Sequence, residues 1–174
     1  MTTETRDAVE AIHRLKYAYL RAVDTKNWPL LTATLADDAI GRYGHDLATG
    51  EPIVLSSRDS IIEYLRGSLT DEIITEHRVT HPVIDVDGDT ATGSWYLQDR
   101  VICAAADFML IGSAFYTDRY LRTPEGWRIA ETGYERTYHA TMSTRALAFD
   151  VRPGAPVSTG PRPEQDDGRG PRPA

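Results

Sequence analysis

Apolar residues recur at steps of three and four along the first part of the chain, between Thr5 and Asp24. Such steps place side chains on one face of a helix, so this segment is predicted to be an amphipathic helix. An aspartate at its end is unusual, because the negative end of the helix dipole disfavours an acid. Asp24 therefore needs a compensating partner or a function. The apolar stripe consists of Val9, Ile12, Leu15, Tyr19 and Val23.

Two shorter helical segments follow. Asn27 precedes the segment WPLLTATL, whose early proline indicates a helix capped by Asn27. The run AIGRY then predicts a strand. In SSRDSIIEYLRG, Ser56 and Asp59 have the spacing of a capping box, and Gly67 is expected to end the helix.

The pattern then changes to four long β-rich runs separated by turn signals such as DGD and TPEG. Helices followed by antiparallel strands predict an α+β fold, with the helices packed on one face of a curved sheet. Gly93, Gly112 and Gly133 lie inside these runs and are expected to mark bends or bulges that curl the sheet around a cavity.

Composition limits the classes of protein that this chain can represent. The 174 residues predict one domain over residues 1–150 and a disordered tail over 151–174, which is rich in proline and glycine. The formal net charge is −7 and basic residues form no block, which argues against nucleic acid and anionic membranes as partners. The N-terminal residues lack a signal-peptide pattern, so a cytoplasmic location is expected. The single cysteine, Cys103, is expected to be an inert thiol.

The histidines are the first candidates for chemistry. His77 and His81 are four apart in a predicted strand, so they are expected to share a face with Val79 and Val83. This pattern leaves both a core histidine and a catalytic base open. A metal site needs a third ligand, and no His/Asp/Glu cluster supplies one, so no metal is expected. An aspartate such as Asp24 beside a histidine would fix the imidazole and prepare it as a general base.

Tyrosines are unusually frequent, with nine against three phenylalanines. A phenol in an apolar pocket is a good donor to a carbonyl oxygen or an enolate. Arg136 alternates with Thr132, Tyr134 and Tyr138, so one sheet face is expected to carry all four. Together with two tyrosines from earlier segments, Tyr19 and Tyr43, these residues could line one cavity.

Several segments in order resemble the SnoaL-like branch of the nuclear transport factor 2-like superfamily, and more closely the bile acid 7α-dehydratase group. The resemblance covers roughly Ile12 to Tyr138 and implies a cone-shaped mixed or antiparallel sheet wrapped around N-terminal helices. The segments that carry it are TATGSWYLQDR, GSAFYTDRY and GWRIAETGYERTY.

The resemblance also implies a site. His77 matches the catalytic histidine, Asp24 the catalytic aspartate, and Tyr19, Tyr43 and Arg136 the substrate-binding residues. On an ideal helix Tyr19 and Asp24 lie roughly 140° apart, so the helix is expected to break before Asp24 and turn it toward His77.

The implied activity is that of a cofactor-free dehydratase. It would remove water from a hydroxylated steroid or other apolar polycyclic carbonyl compound, and the resemblance makes a CoA thioester the leading expectation. The alternatives are a ketosteroid-type isomerase or polyketide cyclase that uses the same pocket, or a non-catalytic binding module or accessory subunit. The resemblance further implies a homo-oligomer, with a trimer ahead of a dimer.

Overall fold

The computed structural model describes residues 2–45, 49–147 and 150–152, in which three helices pack on one mixed sheet of six strands. Nearly all of the predicted tail, residues 151–174, lies outside the described residues. The helices are α1 (Thr3–Asp24), α2 (Trp28–Thr34) and α3 (Arg58–Ser68). The strands are β1 (Leu35–His45), β2 (Pro52–Leu55), β3 (Ile74–Asp87), β4 (Thr90–Cys103), β5 (Phe108–Thr123) and β6 (Gly126–Met142).

The strand order in the sheet is β2-β1-β6-β5-β4-β3. All neighbours are antiparallel except β1 and β6, which run parallel. β6, the last strand among the described residues, is therefore an interior strand of the sheet. The predicted α+β class with a curved sheet beside N-terminal helices is confirmed, whereas the short strand β2 was not predicted. None of the described helices has the length and apolar character needed to cross a membrane.

The helix ends follow local capping chemistry. Asn27 is confirmed as the cap of α2, because its side-chain oxygen accepts the N–H of Leu30 at 3.1 Å. The capping box of α3 lies one residue away from the prediction and joins Ser57 to Ser60 rather than Ser56 to Asp59. The reason is that Ser57 has the extended backbone of a cap. The prediction that α3 ends at Gly67 is also wrong, since the helix includes the next residue.

A bulge in β3 reverses the predicted orientation of its second half. His81 has a positive φ of 50°, and the pairing with β4 shifts register around it. An extra residue in one strand turns the following side chains to the other face. Val83 is consequently 63 % exposed, while Ile84 packs against the core. The prediction that His77, His81 and Val83 share one face is therefore wrong.

A second bulge lies in β6. Arg136 pairs with Ala114 and Tyr138 pairs with Ser113, so Thr137 is the extra residue. Tyr138 therefore lies on the outer face and is 53 % exposed. The prediction that Tyr138 shares a face with Arg136 is wrong for this reason.

The three strand glycines do not mark bulges as predicted. Gly93, Gly112 and Gly133 all keep their partners in the ladder, opposite Asp118, His139 and Thr117. The register shifts of the sheet fall at other positions. These glycines instead allow side chains or backbone from neighbouring strands to approach closely.

A fully buried ion pair attaches α1 to the sheet. Lys16 lies in the apolar stripe, and its Nζ is 2.7 Å from Oδ2 of the equally buried Asp118. The same amine lies 3.4 Å from the ring centre of Tyr116, and Asp118 also accepts the hydroxyls of Tyr120 and Thr132 at 2.7 Å. Burial lowers the pKa of Lys16, whereas Asp118 favours its charged form. Loss of either partner would leave a buried charge, so this pair fixes where α1 lies on the sheet.

Candidate active site

The carboxylate of Asp24 holds the imidazole of His77. Nδ1 of His77 is 2.6 Å from Asp24 Oδ1, and the backbone N–H of His77 donates to Oδ2 at 3.0 Å. The hydroxyl of Thr75 donates to Oδ1 at 2.8 Å. Both carboxylate oxygens are therefore occupied and their orientation is fixed. An Nδ1–H donated to Asp24 leaves Nε2 as the nitrogen that can accept a proton.

The helix does not break before Asp24, contrary to the prediction. Asp24 is the last residue of α1, and the angular separation from Tyr19 is kept. Tyr19 lines a cavity inside the fold, whereas Asp24 lines a separate cleft of about 300 Å³ beside β3. His77 lines both spaces and so connects the aspartate to the cavity. The hydrogen bonds from β3 also compensate the acid for its position at the negative helix end.

The cavity inside the fold, called here the inner chamber, has a volume of about 140 Å³ and lies between α1, α3 and the sheet. His77 forms part of its wall, and the hydroxyls of Tyr19 and Tyr43 are 2.9 Å apart. Because the two phenols share one hydrogen bond, one of them keeps a proton to donate into the chamber. The tyrosines of its wall are Tyr19, Tyr43, Tyr64, Tyr116 and Tyr134.

Burial sets the protonation of these phenols. It raises the pKa of Tyr19, Tyr43 and Tyr116 well above the ordinary value. Burial also raises the pKa of Tyr134. The phenols therefore remain protonated at neutral pH and act as hydrogen-bond donors to an oxygen that becomes negative in a reaction.

Arg136 also lines the inner chamber, but its charge is already balanced. Its guanidinium donates two hydrogen bonds to Asp99, at 2.8 and 2.6 Å, and the Asp99 side chain is 2 % exposed. Hydrogen bonding to Asp99 raises the pKa of Arg136, so the guanidinium stays charged. A Cβ at Gly112, which pairs with Asp99 in the ladder, would collide with the guanidinium. Glycine at this position therefore makes room for the ion pair.

Sequence reasoning missed Asp99. It pairs directly with His77 across the β3–β4 ladder and lies on the same face of β4 as the buried Trp95 and Leu97. An acidic residue at an inward position of a strand is a signal of a buried partner, and the segment SWYLQDR contains that signal.

The structure thus brings together the residues proposed for the site. Four of them line the inner chamber, namely Tyr19, Tyr43, His77 and Arg136. Asp24 does not line the chamber but contacts His77 through Nδ1. Their roles in catalysis stay predictions. Within residues 2–45, 49–147 and 150–152, no three His, Cys, Asp or Glu residues are placed to hold a metal ion.

The family model for the SnoaL-like domain matches residues 4–133. The chain belongs to the SnoaL-like family. The specific likeness to the bile acid 7α-dehydratase group stays a prediction.

Solved structures similar to this SnoaL-like chain share its fold. One is a putative scytalone dehydratase from Novosphingobium aromaticivorans, with TM-score 0.71 and 18 % identity over 92 % of this chain and 100 % of that one. Another is the Kfla4162 protein from Kribbella flavida, with TM-score 0.68 and 21 % identity over 78 % and 95 % of the two chains. A third is the hexachlorocyclohexane dehydrochlorinase LinA-type3 from Novosphingobium barchaimii, with TM-score 0.66 and 18 % identity over 86 % and 96 %.

Proposed function

We propose that this protein is a cofactor-free lyase that eliminates water from a hydroxylated ring compound bearing a carbonyl group. One observation carries the proposal. The imidazole of His77 lies in the wall of a tyrosine-lined chamber, with Nδ1 held at 2.6 Å by Asp24. This arrangement suits a general base that must accept a proton through Nε2 and remain in place as an imidazolium.

The proposed reaction begins with transfer of a C–H proton, α or vinylogous to the carbonyl, to Nε2 of His77. The electron pair of that bond moves toward the carbonyl oxygen, which a phenol of Tyr19 or Tyr43, or the guanidinium of Arg136, stabilises as a dienolate. When the electrons return, they form the new C=C bond and expel the hydroxyl, which leaves as water after taking a proton from the imidazolium. Asp24 stabilises the cationic form of the histidine throughout.

The finer proposal for the substrate is a steroid or related polycyclic carbonyl compound, from the likeness to the bile acid 7α-dehydratase group. Two of the similar structures bear names of eliminating enzymes, a putative dehydratase and a dehydrochlorinase. At identities of 18 % they share the fold with this chain, and their names support elimination only as one chemistry that the fold hosts.

The test is turnover of a panel of hydroxylated 3-oxo-4-ene steroids, supplied as uncharged steroids, as free acids and as CoA thioesters, with mass spectrometry to detect loss of one water. His77→Ala should lower kcat by at least about a hundredfold, the typical contribution of a general base. His81→Ala is the matched control, because His81 belongs to the same strand but is exposed. Near-wild-type turnover by His77→Ala on a true substrate would rule out this mechanism.

A ketosteroid-type isomerase or a polyketide cyclase is the second candidate. The chamber contains one base and a phenol pair, which is all that proton abstraction and enolate stabilisation require. Isomerisation preserves the mass of the substrate, so the same experiment separates it from dehydration. The non-catalytic alternative has no need of a His–Asp contact.

A further inference from the structure

The inner chamber adjoins a much larger open cavity of about 840 Å³, called here the vestibule. The chamber and the vestibule share four lining residues, so these mark the boundary between the two spaces. The shared residues are Tyr43, Tyr64, Tyr134 and Arg136.

The boundary is largely aromatic. The rings of Tyr43 and Tyr64 are stacked with centres 5.9 Å apart and an angle of 6° between their planes. Tyr134 lies 6.1 Å from Tyr43, and the guanidinium of Arg136 lies 5.3 Å from the Tyr134 ring centre. A molecule that crosses this boundary therefore passes between π-faces, which favour flat apolar groups.

The volume of the inner chamber limits what can lie beside His77. Pockets that enclose a drug-sized ligand have roughly 300–1,000 Å³, whereas a cavity of about 150 Å³ in another protein binds benzene. The chamber, at about 140 Å³, matches a single ring. A larger substrate must therefore leave most of its length in the vestibule.

The charges of both spaces favour an uncharged substrate. In the chamber, His77 is paired with Asp24 and Arg136 with Asp99. Among the described residues, the vestibule wall has Glu135, two histidines (His45 and His139) and no lysine, and its one arginine is the Arg136 already paired with Asp99. The formal net charge of −7 adds a general repulsion of anions.

We propose that the site takes an elongated, uncharged substrate in two parts. One ring enters the inner chamber beside His77, and the remainder lies in the vestibule across the aromatic boundary. The proposal rests on the proposed function only in taking the ring beside His77 as the reacting one. It narrows the substrate class to neutral carbonyl or phenol-type compounds whose reacting ring lies at one end.

Three phenols of increasing length test the proposal, because a phenol resembles the enol form of a ring ketone. The probes are phenol, 4-phenylphenol and 4-(4-hydroxyphenyl)benzoate, titrated into the full chain by isothermal calorimetry. 4-Phenylphenol should bind at least about tenfold more tightly than phenol, because its second ring is buried in the vestibule. The carboxylate of the third probe should lower affinity about tenfold relative to 4-phenylphenol, because the described vestibule wall offers it Glu135 and no lysine or unpaired arginine.

A pair of variants locates the second ring. Leu110 is a partly buried residue that lines the vestibule but not the chamber. Leu110→Trp should narrow that space, lower the affinity for 4-phenylphenol, and leave phenol binding unchanged. Thr92→Trp is the control, since it places the same side chain at an exposed position of β4 away from both spaces. Circular dichroism verifies that both variants fold.

Several results would overturn the proposal. These are equal affinities for phenol and 4-phenylphenol, tighter binding of the carboxylate, unchanged binding of 4-phenylphenol by folded Leu110→Trp, or no binding of either neutral probe. None of these measurements involves turnover. If the probes bind in the expected order but no panel compound loses water, the proposed reaction fails while the two-part site stands.

Discussion

Asp99 determines what Arg136 can do in the site. A lone guanidinium in a small chamber would attract an anionic substrate, but two hydrogen bonds to a nearly inaccessible carboxylate remove that net charge. Arg136 is therefore better described as an oriented hydrogen-bond donor than as an anion receptor. Its remaining N–H groups can donate hydrogen bonds to a carbonyl oxygen. The Arg136–Asp99 pair as a whole does not strongly favour an anionic substrate over a neutral one.

Gly112→Ala should break this arrangement. The added methyl group would meet the guanidinium of Arg136 and would lie 2.9 Å from Asp99 Oδ1, so the ion pair must shift. We expect the free energy of unfolding to fall by about 1–3 kcal/mol, as for other overpacked interior sites. Urea unfolding followed by circular dichroism measures the change.

Gly67→Ala is the matched control for that substitution. Gly67 is exposed in α3, and a Cβ there meets nothing within 4 Å. Alanine should raise the free energy of unfolding by about 0.5–1 kcal/mol, because it loses less backbone entropy in a helix. If Gly112→Ala is as stable as Gly67→Ala, the close fit around Arg136 is wrong.

Individual residues were predictable to the extent that their neighbours in sequence reveal their surroundings. The acid at the end of α1 raised the question of a partner, and the resemblance pointed to His77 as that partner. Asp99 escaped notice because its partner, Arg136, lies 37 positions away in the chain and only the sheet brings the two together. The volume of the chamber likewise depends on how distant side chains pack.

A hydrogen bond from the turn after α1 links the two elements that carry the Asp24–His77 pair, α1 and β3. Lys26 has a positive φ of 52°, which is unfavourable for a residue with a side chain. Its Nζ donates to the carbonyl oxygen of Ile73 at 2.7 Å, one residue before β3 begins. The same contact thus links the end of α1 to the start of the strand that carries Thr75 and His77.

Lys26→Met should loosen this connection, because it removes the amine and keeps the apolar stem. We expect the Nδ1 proton of His77 to exchange faster with water, as measured from its downfield signal in the proton NMR spectrum. We also expect the free energy of unfolding to fall by about 1 kcal/mol. Lys26→Gly also lacks the amine but relieves the positive φ, so it should recover about 1 kcal/mol. Its Nδ1 proton should still exchange rapidly. An Nδ1 signal unchanged in both variants would limit Lys26 to a role in stability.

Periodicity predicted the helices and strands far better than it predicted the sheet face on which each side chain lies. The stripe of α1 and the alternation of the strands gave the helices and the sheet. The bulge at Thr137 was not predictable, since one extra residue in a strand leaves no mark in composition. The bulge at His81 has a signal that the alternation pattern overlooked, since Pro82 follows it and proline in a sheet is confined to edges and bulges. Each bulge inverted the faces beyond it, which explains the errors at Val83 and Tyr138.

The buried tyrosines should make the whole molecule sensitive to alkali. The pKa of Tyr19, Tyr43 and Tyr116 lies well above the unfolded value of about 10. Above pH 10 the unfolded chain loses protons that the folded chain keeps, so stability falls as pH rises, by up to about 1.4 kcal/mol per pH unit for each tyrosine. Burial also raises the pKa of Tyr120 and Tyr134. Lys16 acts in the opposite direction, because burial lowers its pKa, but it is one group against five.

Urea unfolding between pH 8 and pH 11 measures this dependence. Stability should change little from these phenols below pH 10 and fall steeply above it. Tyr43→Phe should reduce the slope by about one fifth, because it removes one of five phenols whose pKa burial raises. Tyr138→Phe, at an exposed position, should leave the slope unchanged. A wild-type chain whose stability is flat to pH 11 would contradict the expectation.

The outer face of the sheet has a cluster of large side chains at exposed or partly exposed positions. The register places them on neighbouring strands, and the rings of Tyr96 and Phe115 lie 5.2 Å apart. Exposed apolar patches of this kind often mark contacts between subunits. The members of the cluster are Val83, Tyr96, Phe115 and Tyr138.

We therefore propose that the chain forms a homo-oligomer through this face, and the resemblance to the family favours a trimer before a dimer. Light scattering coupled to size-exclusion chromatography should give a mass above that of one chain, 19.4 kDa. Phe115→Glu should shift it toward the monomer, because it places a charge in the contact. Arg122→Glu, at an exposed position near the end of the same strand, should not. A monomeric wild-type chain would exclude the assembly.

The interior position of β6 has a consequence for how the chain is made. Until β6 is synthesised, the hairpin of β1 and β2 and the meander of β3, β4 and β5 each have an unpaired inner edge. Neither piece can close around the chamber, because Tyr134 and Arg136 arrive with β6. A ribosome-bound chain would therefore present open strand edges through most of translation, when pairing with other chains is the main hazard. The acquisition of the site and the end of that vulnerable period would coincide.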